Sequence, residues 1–414
     1  MPTSVHDLDL PTVDFFAREP RSVTPAELDG IRTQSWIART PFGYVITRYD
    51  DVVAILRDQR FHQASSRLAE FRGITDEEFL NSRDGNSILS AEGDEHARLR
   101  RLVSPAFTPK AADKLRPFMR QVINELVDAI EAQGACDVVT DLCEPYPIPI
   151  ICELLGAPPE DWKLFSHWAW SLLRVFDFDV NDALPQIKKA SAELDAYVRG
   201  LIEARRNDPT DDLLTTLIAA EEAGDRLSER ELVMLASAVL VAGTDTTRNQ
   251  LACAVALFVA HPEQWKLLAD QPELAPRAVE ETMRVLGAIR GTGRFAAADA
   301  VYRDVLFPEG TFVSPGFAFA NFDPAVFPGG DVFDITRVSG NQPQLTFGSG
   351  IHYCLGAALA RAELQEALPV LARRLPDLVA NGDSAWKSGF VAIFGPTSLP
   401  VRFTPPPFAS AATS

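Results

Sequence analysis

Cysteine is scarce in this chain. Five residues, Cys136, Cys143, Cys152, Cys253 and Cys354, are scattered over 414 positions, which excludes a disulfide scaffold, and no C-x-x-C pair marks a structural zinc site. Reduced thiols fit a cytosolic setting. Positive charge is scarce too: 39 Lys and Arg face 57 Asp and Glu, a formal net charge of -18. Such a surface repels a polyanion and argues against nonspecific nucleic-acid binding. Long apolar runs are missing, since no window holds the roughly 18 apolar residues that a membrane-spanning helix needs. The start, Met1 to Leu10, has no basic region followed by an apolar stretch, so no secretory signal is read there. The expectation is a cytoplasmic protein without a membrane span. No internal repeat is found.

Residues 1–25 are polar with several prolines and read as an irregular arm. A strand over Phe42–Thr47 and a helix over Asp50–Arg57 predict a small β element near the N-terminus. Residues 62–93 lack sustained periodicity, as expected of a connection that covers a ligand. The aromatic residues Trp162, Phe165, Trp168, Trp170, Phe176 and Phe178 read either as core or as the wall of an apolar channel, around an irregular stretch Asp177–Pro185. Leu227-Ser228-x-x-Glu231 is a capping box that starts a helix from about Glu229 to Ala260. Phe390–Phe403 reads as a hairpin, and 409–414 as a disordered tail.

Three places carry candidate chemistry. The stretch Phe347-Gly348-Ser349-Gly350-Ile351-His352-Tyr353-Cys354-Leu355-Gly356 sets one cysteine in a glycine-rich loop ahead of a helix pattern, where a thiolate can bind a metal beside a flat ligand. A dinucleotide fingerprint also begins with Gly348-x-Gly350, but Tyr353 occupies its third glycine position. His96 and Arg100 lie four apart on one helix face, a spacing suited to clamping carboxylates. The long apolar helix carries a polar island, Gly243 to Gln250, whose burial costs ~1–3 kcal/mol for each group left unpaired. From Arg98 to Arg120, seven Lys or Arg residues accompany a single acid, Asp113, and suit an acidic partner.

The cysteine stretch resembles the haem-binding signature of the cytochrome P-450 family, Phe-x-x-Gly-x-His/Arg-x-Cys-x-Gly, at every fixed position. The resemblance spans roughly Pro41 to Phe403 and implies a mainly α, single-domain fold with a small β-rich lobe, here over 26–408. It implies that Cys354 is the thiolate ligand of haem b iron, and that His96, Arg100, Arg294 and His352 hold its propionates. Ala242-Gly243-Thr244-Asp245-Thr246-Thr247 is similar to the family's oxygen-activation motif, with Thr246 bonding dioxygen and Asp245 relaying protons. Glu281 and Arg284 match the family's structural Glu-x-x-Arg pair. By position, Ala238, Ala242, Ile289 and Ile393 would line the substrate pocket, while Arg290 would either anchor an anion or reach solvent.

Some family positions differ. Gly287-Ala288 replaces a common proline, Phe322 replaces an arginine in Asn321-Phe322-Asp323-Pro324, and Val332 stands where an arginine usually joins the ion pair, with Arg337 as its candidate substitute. The implied function is a monooxygenase inserting one atom of O2 into an apolar small molecule, with electrons from a ferredoxin and its NAD(P)H-dependent reductase. A peroxide-dependent haem-thiolate enzyme and a non-catalytic haem or lipophile carrier are the alternatives.

Overall fold

The capping box forms where the sequence places it. In the computed structural model, which describes residues 2–14, 23–67, 73–77, 79, 87–176, 180–222, 227–338, 340, 342–387 and 393–405, the Ser228 hydroxyl accepts the Glu231 N–H and the Ser228 N–H donates back to the Glu231 carboxylate. From there the helix Glu229–Ala260 runs unbroken for 32 residues, about 48 Å at the α-helical rise. Glu231 also receives the Arg98 guanidinium, which ties the helix start to Gly93–Val103.

Packed around this long helix are Pro147–Leu155, Trp162–Leu173, Val180–Asn207, Ala275–Leu286 and Ala357–Arg374. Ala357–Arg374 in turn packs on Pro109–Asp128 and Pro262–Asp270, so one apolar core runs through the helical body. A second core, with Val5, Ile37, Ile46, Phe61 and Phe307, lies under a five-stranded sheet. Its strands are, in spatial order, Ile37–Thr40, Gly43–Ile46, Phe312–Pro315, Arg294–Ala296 and Phe61–Gln63. The strand and helix expected near the N-terminus are observed as Gly43–Ile46 and Tyr49–Arg57. Among the described residues no helix is long and apolar enough to cross a membrane.

The arm expected to be irregular is ordered over its described first half. Thr3–Ser4 pairs in parallel with Val305–Leu306, and Thr12 bridges Arg39. The reason is apolar: Val5 is fully buried, with Leu8 and Leu10 packed against the same core. Asn181–Pro185, also expected to be irregular, belong to the helix Val180–Asn207. Val180, Ala183, Leu184 and Ile187 bury one face at helical spacing, and that burial outweighs the hydrogen bond Pro185 removes near the helix start. The hairpin reading of the C-terminal strands is also corrected. Pro396–Ser398 pairs with Ala385–Trp386, whereas Pro400–Arg402 runs between Val379–Ala380 and Ala135–Asp137; the buried Leu399 between them is where the chain changes sheets. The tail 409–414 lies outside the described residues, as does Phe178.

Of the aromatic residues, Phe165 and Trp168 are core. Phe165 packs edge-on against Trp168 and Tyr197, at ring separations of 5.7 and 5.2 Å, and the Trp168 indole donates to Glu193. Trp170 is exposed.

Glu281 and Arg284 form a buried pair with both oxygens engaged at 2.8 Å. Arg284 also donates to the carbonyls of Asn321 at 3.0 Å and Gly330 at 2.7 Å. Arg337 occupies the role left open by the exposed Val332: it reaches Glu281 at 3.1 Å and the carbonyls of Pro328, Gly329 and Val332. Two guanidiniums thus share one carboxylate. Glu281→Gln leaves both without their counter-ion and is expected to cost about 3–5 kcal/mol, measured as the shift in a denaturant unfolding curve. Arg337→Ala, which removes only the more exposed partner, is expected to cost less than half of that.

Candidate active site

A cavity of about 400 Å³ lies between the long helix and the cysteine loop. Its geometry begins with the loop's glycines. Gly348 and Gly350 hold φ of +71° and +74°, left-handed values that cost other residues strain. A Cβ on Gly350 would also stand 2.5 Å from the Leu56 carbonyl oxygen. The Cys354 N–H closes the loop by donating to the Phe347 carbonyl at 2.9 Å.

Cys354 thereby presents its sulfur to the cavity. Enclosure by protein pushes its thiol pKa up, opposed by the Gly356 N–H and the charges of Arg100 and Arg361. A thiol in such a place is neutral until a metal displaces its proton. Arg361 stacks 4.4 Å over the Phe347 ring and grips Glu280, so the loop is clamped to the Ala275–Leu286 helix from behind.

The four residues expected to hold carboxylates converge on this cavity. His96 and His352 stand ring to ring at 4.4 Å. Burial, then the positive charge of His352 and Arg100, lowers the His96 pKa to about 4. Arg100 donates to the Tyr353 carbonyl at 2.6 Å. Burial lowers Arg294 to about 10, with Glu92 opposing. Two neighbours were not anticipated. Glu92 accepts the Gln63 N–H at 2.6 Å and comes within 3.3 Å of His352 Nε2, and Gln63 accepts from Arg294. Glu92 ends the loop just before the helix that carries His96, and no spacing rule connects that acid to the distant cysteine loop.

On the opposite wall, Ala238, Ala242 and Thr246 face the cavity from the long helix, and Ile289 from the segment after Ala275–Leu286. Ile393 is buried but is not among the residues lining this cavity. The Thr246 hydroxyl donates to the Ala242 carbonyl at 2.9 Å, so it satisfies a carbonyl one turn back on its own helix. Asp245 points elsewhere. It is buried and pairs with Arg248 at 3.0 Å and with Lys387 at 3.2 Å. Lys387 was missed because 142 residues separate it from Asp245.

These residues fit a haem. A lone sulfur faces a largely apolar cavity, and four cationic or donor side chains gather at its edge. That is the donor set a dianionic macrocycle with a thiolate-ligated iron requires.

Comparison with known proteins agrees. The family model described as Cytochrome P450 matches residues 160–271 and 264–376. The chain is 40% identical over 372 residues to the mycinamicin IV hydroxylase/epoxidase of Micromonospora griseorubida, covering 88% of this chain and 91% of that protein. It is 36% identical to the luteothin monooxygenase of Streptomyces thioluteus, covering 95% and 96%. The structure of epothilone B-bound cytochrome P450epoK superposes with a TM-score of 0.85 at 31% identity, covering 94% of this chain and 99% of that one. A thiol set by glycines at the floor of a donor-rimmed apolar cavity, together with these similarities in sequence and fold, makes the chain a member of the cytochrome P450 family, a haem-iron monooxygenase that uses O2.

Proposed function

We propose that this enzyme inserts one oxygen atom into a largely apolar small molecule, with haem b held by Cys354, His96, Arg100, Arg294 and His352 and with electrons from a ferredoxin and its NAD(P)H-dependent reductase. The observation that carries the reading is the placement of Thr246 and Cys354 on facing walls of one cavity. When bound, thiolate-ligated haem iron supplies the redox chemistry that cleaves dioxygen.

The chain's own residues do the rest. Ala238, Ala242 and Ile289 exclude water and hold an apolar substrate against the cavity wall. The Thr246 hydroxyl, spent on the Ala242 carbonyl at rest, turns to donate a hydrogen bond into the cavity. Asp245, one residue back and about 100° around the helix, takes protons from the far side, where exchange between its Arg248 and Lys387 partners frees it to move. General acid catalysis of this kind contributes roughly 10²–10⁴-fold. A peroxide-driven enzyme or a carrier has no use for this arrangement.

Of the seven cations between Arg98 and Arg120, Arg98 is paired with Glu231, and Arg116 and Arg120 with Glu366. Arg101, Lys110 and Lys114 have no ion-pair partner among the described residues and are exposed, which suits an acidic electron donor and makes its association weaken with salt. Two of the relatives are named for oxidation of a small molecule, as a mycinamicin IV hydroxylase/epoxidase and a luteothin monooxygenase.

Cys354→Ser is expected to abolish the red-shifted Soret band of the reduced, carbon monoxide-bound protein. Thr246→Ala is expected to keep NAD(P)H consumption while most electrons go to peroxide or water, measured as product formed per NAD(P)H; undiminished coupling would remove the role given to Thr246. Before haem is loaded, His96 binds its proton near pH 4 in the fold but near 6.5 when unfolded. Between those values the unfolded chain holds the extra proton, so stability is present above pH 6.5 and is lost as pH falls toward 4. Unfolding curves of the haem-free protein are expected to show this loss, and His96→Gln to flatten it.

A further inference from the structure

Arg290 follows the cavity-lining Ile289 and precedes the cavity-lining Thr292. Its side chain is half-buried and is not itself among the cavity-lining residues. Its guanidinium stacks over the Phe394 ring with 5.4 Å to the centroid, beside the fully buried Cys253 of the long helix. Cys253 stands three residues beyond the cavity-lining Gln250. Burial pulls the Arg290 pKa down from its ordinary value, with only Cys253 opposing.

Arg290 has no counter-ion among the described residues. Among the described residues no carboxylate lies within ion-pair distance of it, although Arg32, Arg98, Arg116, Arg205, Arg284, Arg303, Arg361 and Arg374 all have one. Cys253 supplies no negative charge, because burial pushes its thiol to about 12. The nearby Lys387 brings a second cation, but Asp245 neutralises it at 3.2 Å. A ring face offsets only part of the cost of desolvating a guanidinium. An arginine is also the side chain suited to gripping a carboxylate with two parallel hydrogen bonds.

We infer that Arg290 is the anchor for a carboxylate on the substrate, so that the enzyme's substrates are apolar molecules carrying one acidic group, held at the Ile289 end of the cavity and oxidised away from that group. This deepens the monooxygenase reading and rests on it. The acid would dock where Phe394 fixes the guanidinium plane, leaving the apolar body along Ala238, Ala242 and Thr246.

The test uses the haem-loaded protein and matched probes: laurate with lauryl alcohol, cinnamate with cinnamyl alcohol, and abietate with abietol. Binding is read both as the substrate-induced shift of the Soret band and as the rise in thermal midpoint. The wild type is expected to bind the acid at least tenfold more tightly than the alcohol in one or more pairs. Arg290→Met is expected to bring that ratio near one, and Arg290→Lys to restore part of it. Without any probe, Arg290→Met is expected to raise the thermal midpoint, because it removes a buried cation that lacks a partner. A wild type with no preference for the acid in any pair, a methionine variant that keeps the preference, or a methionine variant with a lowered midpoint would each overturn the assignment, the last making Arg290 a packing residue. Failure of the monooxygenase reading would appear separately, as a reduced carbon monoxide complex without the red-shifted band, and the thermal arm would still report on Arg290.

Discussion

One buried carboxylate fixes the position of the cysteine loop. Glu281 binds the guanidiniums of Arg284 and Arg337 and accepts the Asp334 N–H, and through Arg284 it holds the carbonyls of Asn321 and Gly330. Asn321 in turn accepts the Leu345 N–H at 2.8 Å, and the Thr346 hydroxyl donates to the Met283 carbonyl at 2.9 Å. The next residue is Phe347, where the loop begins. An ion pair whose side chains are 2% and 3% exposed is costly to bury and is repaid only by complete pairing, so this one has a single good arrangement. That rigidity passes to the sulfur.

The long helix supplies the second constraint. Because consecutive helical residues point about 100° apart, Thr246 and Asp245 fall on different sides of one rod. Thr246 meets the cavity while Asp245 joins Arg248 and Lys387. The hydroxyl and the carboxylate that the proposed function uses together are thus separated by helix geometry rather than by a loop. The same rod explains why the polar island is tolerated: the Asn249 amide donates to the Asp245 carbonyl at 2.6 Å and Gln250 accepts the Ala288 N–H at 2.8 Å, so most of its buried groups have partners.

Much of the fold and of the candidate site was legible in local patterns. The capping box at Ser228 and Glu231, the strand at Gly43–Ile46 and the glycine-set cysteine loop each depend on residues within a few positions of one another. Readings failed where distant burial decided. Val5 orders the arm by entering a core built from Ile37, Phe61 and Phe307, and the apolar face around Pro185 keeps its helix intact. Where the aromatic residues left two readings open, Tyr197 against Phe165 and Trp168 decided for core.

By itself the sequence determined the chemical parts: a thiol between glycines, donors at helical spacing, an alcohol next to an acid, and a glutamate three residues before an arginine. These follow from short-range geometry, which the chain carries wherever it goes. Tertiary structure alone decided the pairings across hundreds of residues. It brought Arg337 to Glu281 in place of the missing arginine, Glu92 to His352, and Lys387 to Asp245, and among the described residues it left Arg290 without a carboxylate. Charge pairing depends on distance in space, and that distance is set only once the apolar cores have closed.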